Sequence, residues 1–184
     1  MNEARVAELV LGEKTHDRRT ATFCALLAKE SGLGDDGMTV VGGSAIEVYT
    51  GGRYTSDDLD LVVDSRKKVT DVLARWGFKN RGKLWTKEDW GIVVDAMEKE
   101  ISGSRRHTQV LSTAQGSFRI SGPEDLIIRR VRESVNWQGR EGAFAHAILL
   151  VERMDTELDW DYIEFFAKRE HWEAQFRELR HHSR

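Results

Sequence analysis

The sequence predicts an α+β fold: a mixed β-sheet flanked by helices, followed by a C-terminal bundle of helices. Three observations carry this expectation. Between residues 38 and 63, two short apolar strands flank a glycine turn that opens a helix. Short strand patterns then recur as far as Ile120. After Pro123, the only proline, helical periodicity alone remains. Strands and helices that intermix and then give way to helices alone argue for two layered units. The expected division is an α/β domain over residues 1–121, N-terminal helices included, and a helical domain over residues 122–184.

Each element has its own signal. Residues 2–11 and 16–31 read as amphipathic helices, the second with Ala21, Cys24, Leu27 and Ala28 at helical spacing. The Gly- and Asp-rich stretch 31–37 breaks that pattern. Met38–Val41 reads as a short buried strand, Gly42–Thr50 as a short helix, and Leu59–Val63 as the next strand, reached through Gly51-Gly52-Arg53. Val69, Val72, Leu73 and Trp76 give 65–76 a helical period, and Gly77 provides the stop. Residues 78–85 suit a hairpin arm turning near Arg81-Gly82, 92–96 suit a strand, and 108–112 with 117–120 suit a hairpin around Gln115-Gly116. Pro123 fits the first turn of a helix, with Glu124 and Asp125 near the positive end of its dipole. Further helices are expected over 140–154, 159–169 and 171–181, after a first over 124–136.

Composition narrows the class. A chain of 184 residues that is 40% hydrophobic and 32% charged fits a soluble globular protein. No run approaches the length of a membrane span, and the N-terminus lacks an apolar signal core, so a cytoplasmic location is expected. One cysteine, Cys24, rules out an internal disulfide and suits a reducing compartment. Its apolar helical setting marks it as a core residue rather than a catalytic thiol. A formal net charge of −3 gives no global attraction to nucleic acid, which leaves local basic surfaces. The six tryptophans suit core or interface anchors.

The chemistry-bearing stretch is Val40-Val41-Gly42-Gly43-Ser44-Ala45, followed by Thr55-Ser56-Asp57-Asp58-Leu59-Asp60-Leu61-Val62-Val63. Side chains two apart on a strand point to one side, so Asp58 and Asp60 stand together while Leu59, Leu61 and Val63 face the core. Like charges held that close call for a shared cation. A glycine turn at a helix N-terminus offers backbone N–H groups to an anion. Either feature alone is ordinary. In this order and at this short spacing they point to nucleotide chemistry.

These residues resemble the nucleotidyltransferase superfamily, which includes the polymerase beta-like and minimal nucleotidyltransferases. The signature is a hydrophobic residue, Gly-Gly or Gly-Ser, a short helix, and then two acids separated by a hydrophobic residue. Val41-Gly42-Gly43-Ser44 and Asp58-Leu59-Asp60-Leu61 match it. Asp95, in Gly91-Ile92-Val93-Val94-Asp95-Ala96, matches the third carboxylate. The phrasing is similar to the small prokaryotic branch that contains abortive-infection toxins. The likeness covers the middle half of the chain and extends through Ser121-Gly122-Pro123-Glu124-Asp125-Leu126-Ile127. Three departures stand out. Arg53 lies one residue further from Asp58 than the toxin pattern has it. Asp57 is an extra acid, with Leu59 fixing Asp58 and Asp60 as the pair. The Lys and Asp that relatives carry on facing helices have no match in the stretch from Gly139 to His146.

The resemblance implies a fold, an activity and a site. Asp58 and Asp60 would hold two Mg²⁺ ions, replaceable by Mn²⁺, and Asp95 would complete the second site. Gly42 and Gly43 would let the backbone approach the β- and γ-phosphates of an NTP, and Ser44 would donate a hydrogen bond. Arg53 would grip a phosphate or close its loop. Each role has a plain competitor: an ion pair between Asp95 and a lysine, a helix cap at Ser44. Arg105-Arg106-His107 is a basic loop suited to RNA, to triphosphate or simply to solvent. One of Arg129, Arg130 and Arg132 is a candidate to face a cleft, and Lys67 and Lys68 read as solvated. His16, His146 and His171 lack partners at ligand spacing. The implied reaction moves an NMP from an NTP to a tRNA or other RNA end, or to a protein hydroxyl, as in a toxin with a cognate antitoxin. The alternatives are a non-catalytic binding module or antitoxin partner, and an antibiotic adenylyltransferase, which differs only in its acceptor.

Overall fold

The computed structural model describes residues 1–98, 107–140, 142–154 and 157–183, and the chain divides into two compact units, Met1–Ser121 and Gly122–Arg184. The first unit is built on a mixed seven-stranded sheet. Its strands are β1 (Met38–Val41), β2 (Leu59–Val63), β3 (Lys79–Arg81), β4 (Leu84–Lys87), β5 (Ile92–Met97), β6 (Gln109–Thr113) and β7 (Gly116–Ile120). Their order across the sheet is β3-β4-β5-β2-β1-β7-β6. The pairs β1/β7 and β2/β5 are parallel; β1/β2, β3/β4, β4/β5 and β6/β7 are antiparallel. The α+β class read from the sequence is the architecture observed.

Among the described residues, four α-helices accompany the sheet: α1 (Glu3–Leu11), α2 (His16–Glu30), α3 (Gly42–Thr50) and α4 (Arg66–Arg75). The helix α2 packs on β7 and β6 and touches α1, α3 and α4. Its run from Thr22 to Ala28 is buried, wider than one amphipathic stripe, because it meets the sheet on one side and helices on others. Cys24 lies in this run, fully buried, and burial pushes its thiol far above the usual range, with the field of Glu47 adding to the effect. That keeps it protonated and unreactive. Phe23 stacks edge-on with Trp76 at 5.8 Å and contacts Phe78 at 5.7 Å, closing the core beneath the sheet.

The strand β2 shows the expected alternation, with Leu59, Leu61 and Val63 buried and Asp60 and Val62 half-buried. The hairpin turns near Arg81-Gly82 as expected, with Gly82-Lys83 as its two loop residues because Arg81 pairs with Leu84 across the turn. Gly82 has φ +73, the conformation that favours glycine at the first position of a two-residue hairpin loop. The basic loop residues Arg105 and Arg106 lie outside the described residues.

The second unit consists of α5 (Pro123–Asn136), α6 (Ala143–Met154), α7 (Trp160–Arg169) and α8 (Glu173–His182). Ile127, Val131, Ala147, Leu150, Ile163 and Trp172 are buried. The side chain of Glu124 accepts from the Asp159 amide at 2.9 Å, and Tyr162 donates to Asp125 at 2.9 Å. The acids at the start of α5 therefore tie down the start of α7. Arg132 forks onto Glu170 at 2.5 and 2.6 Å, and Arg129 and Arg130 both bind Glu133. The three arginines weighed as cleft residues thus each hold a glutamate within this unit. No described helix is long and apolar enough to cross a membrane.

Trp76 carries much of the first core. It is fully buried, and its indole N–H donates to the Met1 carbonyl at 3.3 Å. Trp76→Ala is expected to lower stability by about 3–5 kcal/mol, the range for deleting a buried aromatic side chain. Urea unfolding followed by circular dichroism measures it; a midpoint unchanged from wild type would contradict the packing described.

Candidate functional site

The site is assembled where β1 ends. Val41 is extended (φ −131, ψ 179), and Gly42 then takes φ +65 and turns the chain into α3. Val41 lies opposite Asp60 on β2. A Cβ built on Gly42 would overlap the Asp60 carboxylate at Oδ2. Glycine is therefore required twice here, by the backbone angle and by the carboxylate packed against the turn. The positive end of α3 also lies beside that carboxylate, an arrangement the helix dipole favours.

The three acids come together through sheet register. The strands β2 and β5 are parallel, and Asp60 is directly paired with Asp95. Neighbouring strands lie about 4.8 Å apart, and paired residues share a face. Asp58, two residues upstream of Asp60, lies in the bend just before β2, and its charge acts on the same lysine, Lys83, as that of Asp60. Asp58 and Asp60 are half-buried, Asp95 is buried, and the extra acid Asp57 is exposed. A fourth residue joins them. The ammonium of Lys83 stands 3.0 Å from Asp95 Oδ2. Its hydrogen bond to Asp95 raises its pKa above the usual lysine value, with the charge of Asp95 and then of Asp58 and Asp60 acting the same way. One cation thus sits in the field of all three acids. Among the described residues no three acidic, histidine or cysteine side chains converge as they stand on a point that would hold a metal ion. Carboxylate oxygens are the donor type that Mg²⁺ takes, and the Lys83 ammonium is a cation that faces Asp95.

The loop that carries Asp58 is anchored from below. Ser44 Oγ donates to the Asp58 carbonyl at 2.6 Å, and Ser56 Oγ donates to the same oxygen at 2.9 Å. Ser44 lies inside α3 rather than at its cap, and its one hydroxyl proton is directed at the protein backbone. Gly43 is needed for this arrangement: its Cβ would fall 2.5 Å from Ser56 Oγ and 3.1 Å from the Tyr54 hydroxyl. The space that the sequence suggested was kept for phosphates at Gly42 and Gly43 is bounded here by Asp60, Ser56 and Tyr54. Arg53 is exposed on the same loop, its backbone amide directed at the Thr50 carbonyl at 3.4 Å.

Glu47 holds this loop, a role that sequence reasoning missed. Its side chain is 1% exposed. Oε2 accepts from the Ser56 amide at 2.9 Å, while Oε1 meets His16 Nδ1 at 2.5 Å and accepts from Thr20 Oγ1 at 3.2 Å. A buried carboxylate persists only with such partners. His16, which has no partner at metal-ligand spacing in the sequence, makes its hydrogen bond to a residue 31 positions away. The signal available was a glutamate on the face of α3 that also carries apolar residues. Beside it, His16, Thr20, Ser56, Asp58 and Trp90 border a recess of about 40 Å³. That volume suits a few water molecules and is too small for a nucleobase.

No protein-family model matches this chain, and no curated protein matches it. Among solved structures, the chain is similar to the crystal structure of an antigenic nucleotidyltransferase-like protein from Paracoccidioides brasiliensis. The TM-score is 0.50 at 12% sequence identity, covering 83% of this chain and 92% of that one. The two share a nucleotidyltransferase-like fold.

Two substitutions test the scaffold. Glu47→Ala strands the Ser56 amide and should cost about 1–3 kcal/mol, the range for leaving a buried donor unpaired. Amide hydrogen exchange should accelerate at residues 55–58 more than in β1; unchanged protection at Ser56 would remove Glu47 as the anchor. Gly42→Ala combines a left-handed backbone angle with steric overlap. It should lower stability by roughly 1–3 kcal/mol, and a melting temperature equal to wild type would show that Asp60 does not need that room.

Proposed function

We propose that this chain is a Mg²⁺-dependent nucleotidyltransferase that moves an NMP from an NTP to an acceptor hydroxyl. The observation that carries the reading is the pairing of Asp60 with Asp95 across parallel strands, with Asp58 two residues upstream, beside a glycine-opened helix. Carboxylates of this kind suit magnesium, which takes oxygen ligands and is shared with substrate phosphates. Asp58 and Asp60 would hold two ions, and Asp95 would complete the second site. When bound, the ions, Mg²⁺ or Mn²⁺, supply Lewis-acid charge at the α-phosphate and lower the pKa of the attacking hydroxyl.

The chain's own residues supply orientation. The first amides of α3 have no intrahelical acceptor and would be offered to the triphosphate. Ser44 and Ser56 fix the backbone of Asp58 from beneath, and Glu47 fixes Ser56. Holding reactants in line is worth several kcal/mol of barrier. The acceptor oxygen would bond to the α-phosphorus and release its proton to solvent water as the bond to the bridging oxygen breaks, and pyrophosphate would leave with that electron pair. We extend the proposal to an RNA or tRNA end or a protein hydroxyl as acceptor, and to a toxin restrained by a cognate antitoxin, on the likeness of Gly42-Gly43-Ser44 and Asp58-Leu59-Asp60 to the toxin branch. An antibiotic acceptor would use the same machinery. Incubation with each α-labelled NTP and cell lysate distinguishes them by whether label enters RNA, protein or small molecules.

A second reading, a non-catalytic binding module, is favoured by the Lys83–Asp95 pair, which closes part of the acidic field with a protein cation. Calorimetry separates the two. The enzyme reading expects NTP affinity to rise with added Mg²⁺ or Mn²⁺, and an affinity indifferent to metal supports the module. Asp60→Asn keeps the shape against Gly42 but removes a charge. Transfer should fall by a factor on the order of a hundred or more, since metal electrostatics contribute several kcal/mol to such barriers. The melting temperature should hold or rise. A transfer rate near wild type would remove Asp60 from the ligand set.

A further inference from the structure

We infer that Lys83 is a substrate-binding residue: its ammonium balances the three carboxylates in the absence of nucleotide and passes to the β- or γ-phosphate of a bound NTP. This rests on the proposed nucleotide site and assigns it a residue that the motif does not contain.

Backbone geometry delivers the lysine. Leu84 pairs with Asp95, so the residue before it stands at the rim of the acidic cluster. The turn is held on both sides of Lys83. Gly82 supplies the positive φ, and Asn80 Nδ2 donates to the Gly82 carbonyl at 3.2 Å. Arg66 Nη2 donates to the Lys83 carbonyl at 3.0 Å. The backbone is thus fixed while the side chain remains 76% exposed, against 7% for its partner Asp95. A flexible four-carbon stem lets the charge move several ångströms without moving the hairpin.

Two nearby cations are committed elsewhere. Lys87, at the end of β4, is 10% exposed and binds Glu3 at 2.6 Å and Asp89 at 3.5 Å. Arg81 pairs with Glu88 at 2.6 Å. Divalent ions entering between Asp58, Asp60 and Asp95 would satisfy those carboxylates and repel the ammonium. A triphosphate brings more negative charge than the ions would have left to neutralise, so its outer oxygens would become the nearest anionic partner of the ammonium. A merely structural surface ion pair contributes little to stability, and although its loss would also favour metal at Asp95, it would not weaken the binding of an NTP.

The experiment uses Lys83→Met and Lys83→Arg in the full chain, with melting temperature as the folding control. Calorimetry gives the affinity for Mn²⁺ alone, and for a non-hydrolysable NTP and the matching NMP in Mg²⁺. Lys83→Met should bind Mn²⁺ about threefold or more tighter, because a competing cation is gone. It should bind the NTP analogue about tenfold more weakly, the size expected for one charge-assisted phosphate contact. NMP affinity should be unchanged, and Lys83→Arg should retain most NTP affinity. If wild type shows metal-dependent NTP binding and Lys83→Met matches it, the role of Lys83 is overturned and the site stands. Equal loss for NMP and NTP also overturns it, since contact with the outer phosphates is then excluded. A wild-type chain that binds no NTP with either metal sinks both the site and this role.

Discussion

The missing side chain at Gly42 is the constraint on which the rest of the site depends. A parallel strand pair brings Asp60 beside Asp95, but only an open corner at the end of β1 lets the Asp60 carboxylate lie against the entry to α3. Any larger residue would have to move either the helix or the acid. The same corner sets the position of Ser44 two residues on, and Ser44 in turn grips the Asp58 carbonyl. Backbone shape at one residue therefore fixes the relative placement of a helix end and two acids. Fixed dipoles and charges act strongly on a substrate because they need no rearrangement when it arrives.

Below that corner lies a second layer of control. Glu47 is a charged group in the interior, stable there because a backbone amide, a hydroxyl and an imidazole meet its two oxygens. It connects α2, α3 and the loop preceding β2 in one cluster. A loop carrying a candidate ligand would otherwise be among the least stable parts of a fold. Here its amide is tied to an element whose neighbours are core residues, so the position of Asp58 inherits rigidity from the core.

Much of this was legible in the chain because local signals agreed. Alternation in Leu59–Val63, the glycine break at Gly77, and Pro123 followed by acids each depend on a few adjacent residues, and each element formed accordingly. The buried Leu59, Leu61 and Val63 could be read because period two is a property of one strand, whereas Asp58 lies in the bend before it. What was hidden depends on pairings between distant segments. Nothing near Lys83 in sequence says that Leu84 will lie opposite Asp95, and nothing near His16 names Glu47 as its partner. A one-residue change of register would have turned Lys83 away from the acids. Ser44 shows a third case: the residue was visible, but the destination of its proton was set by a carbonyl 14 positions on.

The strand β3 has a consequence for the molecule in solution. It is only three residues long, Lys79-Asn80-Arg81, all exposed, and it forms one border of the sheet. A long, apolar, flat border would present unpaired backbone groups as a template for another chain to add strands. A short border with two cations on it discourages such stacking, because a second copy arriving edge to edge would bring like charges together. The adjoining turn can then hold its register against β4 and β5 without being recruited into aggregates at high protein concentration.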